Sequence, residues 1–326
     1  MRIMQKAKLI SLILFLILTN QVSAQTQCTY CGEDITGEYL ILDGKPYHQG
    51  CYRDHIQPKC DYCSEPIDGQ HNVLGDKHYH SECYLDHVVA KCNICEEPLI
   101  GKYFSDLWGN SFHAYHSEQL PECSTCGRLI SDPLTEGGFS LGDGRHICSL
   151  CNYTSVIDDY QIESSLRYVK RLLASNYIDD FPSEIPISLV DSQTLSSISE
   201  TYTNEMQGFT DHNTKSRNGK IISSSSHIYI LTNLPRTLFR AVLAHELLHV
   251  YLFQNDLDLR SDIREGFCNL GSELVYENDR SEFAKFRLAN MKASLDPDYG
   301  VGYRKMSTLL YKKGWYQLLE TLAIIE

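Results

Sequence analysis

A pattern of cysteine and histidine residues repeats four times and takes up twelve of the thirteen cysteines. Each repeat opens with Cys-x2-Cys, the opening pairs start 32, 32 and 31 residues apart, and a second x2-spaced pair follows each. The four sets are Cys28, Cys31, His48 and Cys51; Cys60, Cys63, His80 and Cys83; Cys92, Cys95, His113 and His116; and Cys123, Cys126, Cys148 and Cys151. Four ligands per set indicate closed structural zinc sites, which must stabilise modules too small to bury much core.

A β-hairpin is expected in each repeat because a turn signal precedes the second pair. These signals are Asp43-Gly44, Gly75-Asp76, Gly109-Asn110 and Asp143-Gly144. A disulfide framework is the alternative interpretation, but histidine at the third ligand position of three successive repeats has no part in a disulfide. In the last repeat, His146 is an alternative ligand to Cys148, and the x2 spacing favours the cysteine.

The second half of the chain contains the motif H-E-x-x-H, formed by His245, Glu246 and His249. Residues 235–253 are good helix formers and apolar on nearly every side, which predicts a buried helix. Two histidines four residues apart share a helix face and can bind one zinc ion, while the glutamate acts as the general base of a peptidase. The alternative is a buried helix whose polar side chains are satisfied by neighbours.

A catalytic zinc site needs a third protein ligand and keeps one position open. Residues 261–270 have the apolar spacing of a second helix, and Glu265 in that segment is the best candidate ligand. Asp262 and Glu273 are the competing candidates. Asn269, one helical turn after Glu265, is a candidate partner that orients a ligand histidine.

Residues 1–24 have the pattern of a secretory signal peptide, with basic residues, an apolar run and a small-residue cleavage site before Gln25. Its removal changes the formal net charge from −13 to −16, because the leader carries three basic and no acidic residues. The repeats alone, from Cys28 to Tyr153, carry a net charge of −11. Since nucleic-acid-binding fingers are basic, this acidity argues against nucleic acid and favours a protein partner. We expect a secreted or periplasmic protein that is not bound to a membrane after cleavage.

The peptidase half is predicted to begin with a helix near residues 155–175 and to end with three helices, near 281–294, 301–313 and 315–325. A strand is expected at 185–191, near a sheet edge because Pro186 lies within it. Residues 203–220 are polar and predict a mobile loop, and 226–231 predict an edge strand that could pair with a peptide. Tyr299, and less so Tyr303, is a candidate donor to an oxyanion. Cys268 is expected to be a buried, apolar residue.

The predicted fold is α+β. Residues 25–153 would form four zinc-binding β-hairpin modules, and residues 154–326 a mostly helical metallopeptidase domain with a small antiparallel sheet. One catalytic and four structural zinc ions are expected, with a protein or peptide as substrate. The competing hypothesis is a protein-binding scaffold in which the peptidase site is occluded or inactive.

Four segments together resemble the LIM-domain zinc peptidases of the DA-one family. They are residues 141–151, 243–249, 264–268 and 299–304, which read LGDGRHICSLC, LAHELLH, REGFC and YGVGYR. The members of that family are plant regulators of organ size that are activated by ubiquitin and cleave selected proteins. The resemblance implies LIM-like modules before a small gluzincin-type peptidase, with His245, His249 and Glu265 as zinc ligands and Glu246 as general base. With the leader, it suggests an exported, bacterial-type homologue.

Overall fold

The computed structural model describes residues 26–199, 206–217 and 220–325, so the predicted leader lies outside the described residues. The chain combines helices with small β-sheets and divides into two compact units, one up to His116 and one from Ser117. Within the described part of the chain, no helix is both long enough and apolar enough to cross a membrane.

The first unit contains three successive hairpin modules. The hairpins are β1 (Tyr39–Leu42) with β2 (Lys45–His48), β3 (Asn72–Leu74) with β4 (Lys77–Tyr79), and β5 (Tyr103–Ser105) with β6 (Ser111–His113). The short helices are α1 (Gln49–His55), α2 (Ser81–Cys83), a π-helical turn (Tyr84–Val88) and α3 (His116–Gln119), which crosses into the second unit. Asp43 and Gly44 both have positive φ, as the tight turn between β1 and β2 requires. The core of the first module is small and is built around Cys28, Tyr47 and Tyr52.

The fourth hairpin module belongs to the second unit. It consists of α4 (Asp132–Thr135), β7 (Gly138–Ser140), β8 (His146–Cys148) and α5 (Ser149–Asn152). The residues that follow it run beside the segment before the H-E-x-x-H helix, where Ser155 pairs with Pro235. All four predicted hairpins are confirmed.

Helices make up most of the rest of the second unit. They are α6 (Asp159–Ala174), α7 (Ser192–Ile198), α8 (Arg236–Gln254), α9 (Ser261–Asp279), α10 (Glu282–Ala293), a π-helical segment (Pro297–Gly302), α11 (Tyr303–Thr321) and a 3-10 turn (Leu322–Ile324). Asp158 caps α6 by accepting from the N–H of Gln161, and Ser281 caps α10 in the same way. Gly314, with φ 73°, interrupts α11 where the sequence predicted a break. Phe239 of α8 and Phe267 of α9 are fully buried in the main core.

A three-stranded sheet lies beside α8 and departs from the prediction in three ways. Its strands are β9 (Ile187–Val190), β10 (Gly208–Arg217) and β11 (Lys220–Leu231), in the order β10-β11-β9. The sheet is mixed rather than antiparallel, since β9 runs parallel to β11. The prediction of a loop at 203–220 was wrong for residues 208–217. These polar residues form a strand because they pair with β11. The edge position predicted for 226–231 was also wrong, since β11 is central. β9 lies at an edge, as predicted.

Candidate metal centre

Two histidines of α8 direct their rings to a common position. His245 and His249 lie four residues apart on one face of the helix, and their Nε2 atoms are 3.1 Å apart. Both α8 and α9 are buried over most of their length, so water does not satisfy these rings as it would on a surface. Such a pair is costly to bury unless it binds a partner.

Glu265 of α9 completes a triangle of donor atoms. Its Oε2 lies 3.3 Å from the Nε2 of His245 and 3.4 Å from that of His249. Two donors held at about 2.05 Å by a tetrahedral zinc ion are about 3.3 Å apart, so the three atoms fit one ion. The same Oε2 is buried without a hydrogen-bond partner, while Arg264 Nε lies 3.2 Å from Oε1. A cation between the three atoms would satisfy this buried oxygen.

The electrostatics of the triangle also favour a cation. Burial alone would raise the pKa of Glu265, but its contacts with His245 and His249 hold that pKa well below the usual range. The Glu265 carboxylate is therefore ionised, and the site carries one fixed negative charge beside two imidazoles. This donor set is typical of a catalytic rather than a closed structural zinc site.

The two competing third ligands lie elsewhere. Asp262 pairs with Arg260, whose Nε is 2.6 Å from its Oδ1. Glu273 accepts a hydrogen bond of 2.7 Å from the hydroxyl of Tyr303 and lies 3.7 Å from Lys292 Nζ. Of these three carboxylates, the structure thus brings only Glu265 to the histidines. The hydroxyl of Tyr303 is bound to Glu273 and does not face the histidines.

Cys268 is closer to the site than the sequence suggested. It is fully buried, as predicted, and its Sγ lies within 4.8 Å of the ligand atoms of His245 and His249. Burial raises the pKa of this thiol well above its ordinary value, so it stays neutral. Glu265, which is charged and places its Oε2 3.3 and 3.4 Å from the Nε2 atoms of the two rings, is the better ligand candidate. The i, i+3 spacing of Glu265 and Cys268 was the signal that could have located the cysteine.

Asn269 determines which nitrogen of His245 carries the proton. The Asn269 Nδ2 donates to the backbone carbonyl of Tyr299 at 2.8 Å, which leaves its Oδ1 facing His245 Nδ1 at 3.0 Å. Because an amide oxygen only accepts, His245 Nδ1 must carry a hydrogen, and its Nε2 lone pair faces His249 and Glu265. The contact expected from the sequence is present, and it leaves the Nε2 of His245 able to bind a metal ion.

Glu246 lies beside the triangle without belonging to it. Its side chain is buried, and Thr210 of β10 donates a hydrogen bond of 2.7 Å to its Oε2. Thr210 escaped the sequence analysis, because it lies 36 residues away in a segment interpreted as a loop. The carboxylate is thus held next to the histidine rings by a side chain from the sheet.

Tyr299 lies over the same site. Its ring is 6.0 Å from that of His245 between centroids and nearly parallel to it. Burial first, and then the charges of Glu265 and Glu246, raise the pKa of Tyr299 far above its ordinary value. The hydroxyl therefore keeps its proton and remains a donor at any ordinary pH.

Four further clusters contain the residues predicted from the repeats. Their ligand atoms lie within 4.8 Å of one another in each set, so each cluster could hold a metal ion. In the first cluster the Sγ atoms of Cys31 and Cys51 lie 3.5 Å and 3.8 Å from His48 Nδ1. Sulfur and nitrogen ligands of one tetrahedral zinc ion are about 3.6 Å apart. The spacing therefore fits zinc.

The sulfur atoms of the first cluster would be stabilised by a cation. Desolvation opposes ionisation of Cys28, but the backbone N–H groups of Cys31 and His48 lower the pKa of Cys28 to about 6. Desolvation, and then Cys31 and Cys28, raise the pKa of Cys51 to about 11. One thiolate thus forms readily and a second is resisted unless a positive ion joins them.

Backbone carbonyl groups contact two of the histidines in these clusters. His80 and His113 turn Nδ1 towards cysteine and bring Nε2 to 3.1 Å from the carbonyl oxygens of Pro66 and Pro98. Such a contact orients a ligand ring. In the third cluster, the Nε2 of His116 is buried without a hydrogen-bond partner, so this nitrogen is available to bind a metal ion.

The fourth cluster decides between the alternatives raised by the sequence. Cys148 is in the cluster, whereas His146 contacts Ser140 Oγ at 2.8 Å. The Sγ atoms of Cys126 and Cys148 are 3.8 Å apart, against about 2.05 Å in a disulfide. No disulfide joins any of the thirteen cysteines, all of which lie within the described residues.

A family model and several curated proteins are similar to parts of this chain. Residues 180–279 match the family model DA1-like, described as Protein DA1. That match contains both α8 and α9, and thus His245, His249 and Glu265.

Curated relatives are plant proteins of low identity. Protein DA1-related 7 of Arabidopsis thaliana is 22% identical over 66% of this chain and 49% of its own length. The LIM domain-containing protein HDR3 of Oryza sativa subsp. japonica is 25% identical over 53% and 40%, and Protein DA1 of Arabidopsis thaliana is 24% identical over 64% and 49%. The chain spans about half the length of these relatives, or less. They lend no support to the expectation of an exported, bacterial-type homologue.

Proposed function

We propose that this chain is a zinc-dependent metallopeptidase that hydrolyses peptide bonds in protein substrates. The observation that carries the proposal is the triangle of His245, His249 and Glu265, whose donor atoms are 3.1–3.4 Å apart beside the Glu246 carboxylate. When bound there, zinc would supply a Lewis acid that polarises a carbonyl and activates water. A glutamate next to such a triangle is the arrangement needed for proton transfer during hydrolysis.

Three parts of the chain would share the chemistry. Glu246 takes a proton from the attacking water and passes it to the leaving amine, so that the C–N bond breaks as the amine becomes neutral. Tyr299, which keeps its proton, donates to the negative charge that develops on the carbonyl oxygen. Asn269 keeps His245 in the tautomer that binds metal.

The substrate would lie along β10. This strand forms one edge of the sheet and packs against α8, so an extended peptide that pairs with it would pass the metal triangle. β10 takes the role that the sequence analysis assigned to residues 226–231. We propose an endopeptidase, since a strand edge accepts a continuous chain rather than a terminus.

The four Cys/His clusters are proposed to hold structural zinc in LIM-like modules. Their net charge of −11 suits a protein partner or a regulatory contact better than a nucleic acid. Export through residues 1–24, which lie outside the described chain, also remains a proposal.

Glu246→Gln tests the proposal. The variant should still bind about five zinc ions per chain by elemental analysis, because Glu246 is not a ligand. Its turnover of fluorescein-labelled casein should fall by about 10³-fold, since an amide cannot accept the proton. Glu163→Gln, an exposed glutamate of α6, is the matched control and should behave like the wild type. Turnover at the wild-type rate in Glu246→Gln would contradict the assignment of Glu246 as the general base.

A further inference from the structure

The general base proposed above is enclosed by two residues of the edge strand. Thr210 Oγ1 lies 2.7 Å from Glu246 Oε2 and 3.2 Å from the Glu246 backbone oxygen. A threonine hydroxyl has one proton, and the shorter contact leads to a charged acceptor, which forms the stronger bond. Both side chains are buried, so water does not compete for this hydrogen bond.

Gly208 lies against the other oxygen of the same carboxylate. A Cβ at this position would be 2.7 Å from Glu246 Oε1 and 2.6 Å from Val242 Cγ1, so a side chain there would displace Glu246 or Val242. Residues 208 and 210 are on one face of β10, because side chains alternate along a strand. The two oxygens of Glu246 therefore differ: Oε2 accepts from a hydroxyl, and Oε1 faces bare backbone.

We infer that Thr210 is a positioning residue of the peptidase: it holds Glu246 through Oε2 and leaves Oε1 as the atom that receives the proton from water. The inference rests on the proposed function and deepens it, since one strand then docks the substrate and aligns the base. A carboxylate with free rotation would spend only part of its time in the reactive orientation.

The role separates catalysis from binding. Thr210 reaches the carboxylate with its side chain, whereas a peptide that pairs with β10 uses the backbone of the strand. Loss of the hydroxyl should therefore lower kcat and leave KM unchanged. The loss should also weaken the binding of ligands that transfer a proton to Glu246 when they bind.

Three variants test the inference with two probes. Thr210→Val removes the hydroxyl, Thr210→Ser retains it, and Thr308→Val removes an exposed hydroxyl of α11 as the control. One probe is acetohydroxamic acid, which chelates a catalytic zinc ion and gives its proton to the neighbouring base, and the other is labelled casein. Thr210→Val should lower the affinity for acetohydroxamic acid by about tenfold and lower kcat by about 10- to 100-fold. Its KM, zinc content and melting temperature should stay close to those of the wild type.

Serine should restore both readouts to within about threefold of the wild type, because it supplies the same donor. If Thr210→Val does not fold, Thr210→Ala takes its place, since it removes the hydroxyl without adding volume. Wild-type affinity and kcat in the hydroxyl-free variant would overturn this inference alone. Failure of the wild type to bind acetohydroxamic acid would overturn the proposed function and this inference with it.

Discussion

Tyr299 stacks over His245 in the candidate metal centre. Its ring is partly exposed, yet its hydroxyl lies near two carboxylates, which together with burial keep it protonated. A phenol that cannot ionise is suited to donate to a transient oxyanion, because it does so without becoming charged itself.

Tyr299→Phe tests this role. We expect kcat on labelled casein to fall by about 10²- to 10³-fold with little change in KM, because the donor acts only in the transition state. Zinc content should be unchanged, since Tyr299 is not in the ligand triangle. Tyr311→Phe, a highly exposed tyrosine of α11, serves as the control. An unchanged kcat would mean that a group other than Tyr299 donates to the oxyanion.

At the scale of elements, the π-helical segment Pro297–Gly302 holds Tyr299 in place through close backbone contacts. A Cβ at Gly302 would overlap the carbonyl oxygen of Asp262, and one at Gly266 would overlap the backbone of Gly302. Asp296 caps the segment by accepting from the N–H groups of Asp298 and Tyr299. Glycine is needed here for space, so that the segment can pack directly on α9.

Gly302→Ala should therefore destabilise the second unit by about 2 to 3 kcal/mol, because the added methyl group forces the segment away from α9. Chemical unfolding followed by tryptophan fluorescence measures the change. Gly142→Ala is the control, since a Cβ there meets nothing within 4 Å, and it should change stability by less than about 0.5 kcal/mol. Equal stability of the two variants would contradict the packing argument.

At the scale of the molecule, the fourth module is built into the second unit. Asp143 in its hairpin turn lies 2.8 Å from Arg145 Nε and accepts from the N–H of Ser192 at 3.0 Å, while Arg145 donates to the carbonyl of Thr232. The Asp143 side chain is only 1% exposed and that of Arg145 13% exposed, so little water reaches the ion pair. The module thereby contacts the start of α7 and the segment that leads into α8.

Asp143→Asn should destabilise the second unit by about 3 kcal/mol, because Arg145 would keep a buried charge without its partner. Desolvation opposes ionisation, but Ser192 and Arg145 lower the pKa of Asp143 below its unfolded value of about 3.9. A lowered folded pKa gives stability that is complete above the unfolded pKa and lost only as pH falls through the folded one. The difference between variant and wild type should therefore be constant from pH 5.5 to 8.

Urea unfolding across that range measures the difference, with the exposed Asp258→Asn as control. A difference that shrinks between pH 8 and pH 5.5 would mean that Asp143 titrates in this window, contrary to its surroundings.

Local spacing was enough to predict the four Cys/His clusters and the helix that carries His245 and His249. The candidate ligands within each pair are three residues apart, and one hairpin leads from the first pair of a cluster to the second, so short-range geometry alone brings them together. The same holds for the H-E-x-x-H pair and for the break at Gly314. These features need no knowledge of the rest of the fold.

The tertiary structure alone decided the remaining choices. Glu265 was preferred over Asp262 and Glu273 from the sequence, but only the packing of α9 on α8 shows which carboxylate reaches the histidines. β10 was interpreted as a loop because its residues are polar, and pairing with β11 overrode that composition. Thr210 meets Glu246, and Asp143 meets Ser192, across 36 and 49 residues. Periodicity reports which face of an element is buried and not which residue lies opposite, so contacts at such separations depend on the assembled fold.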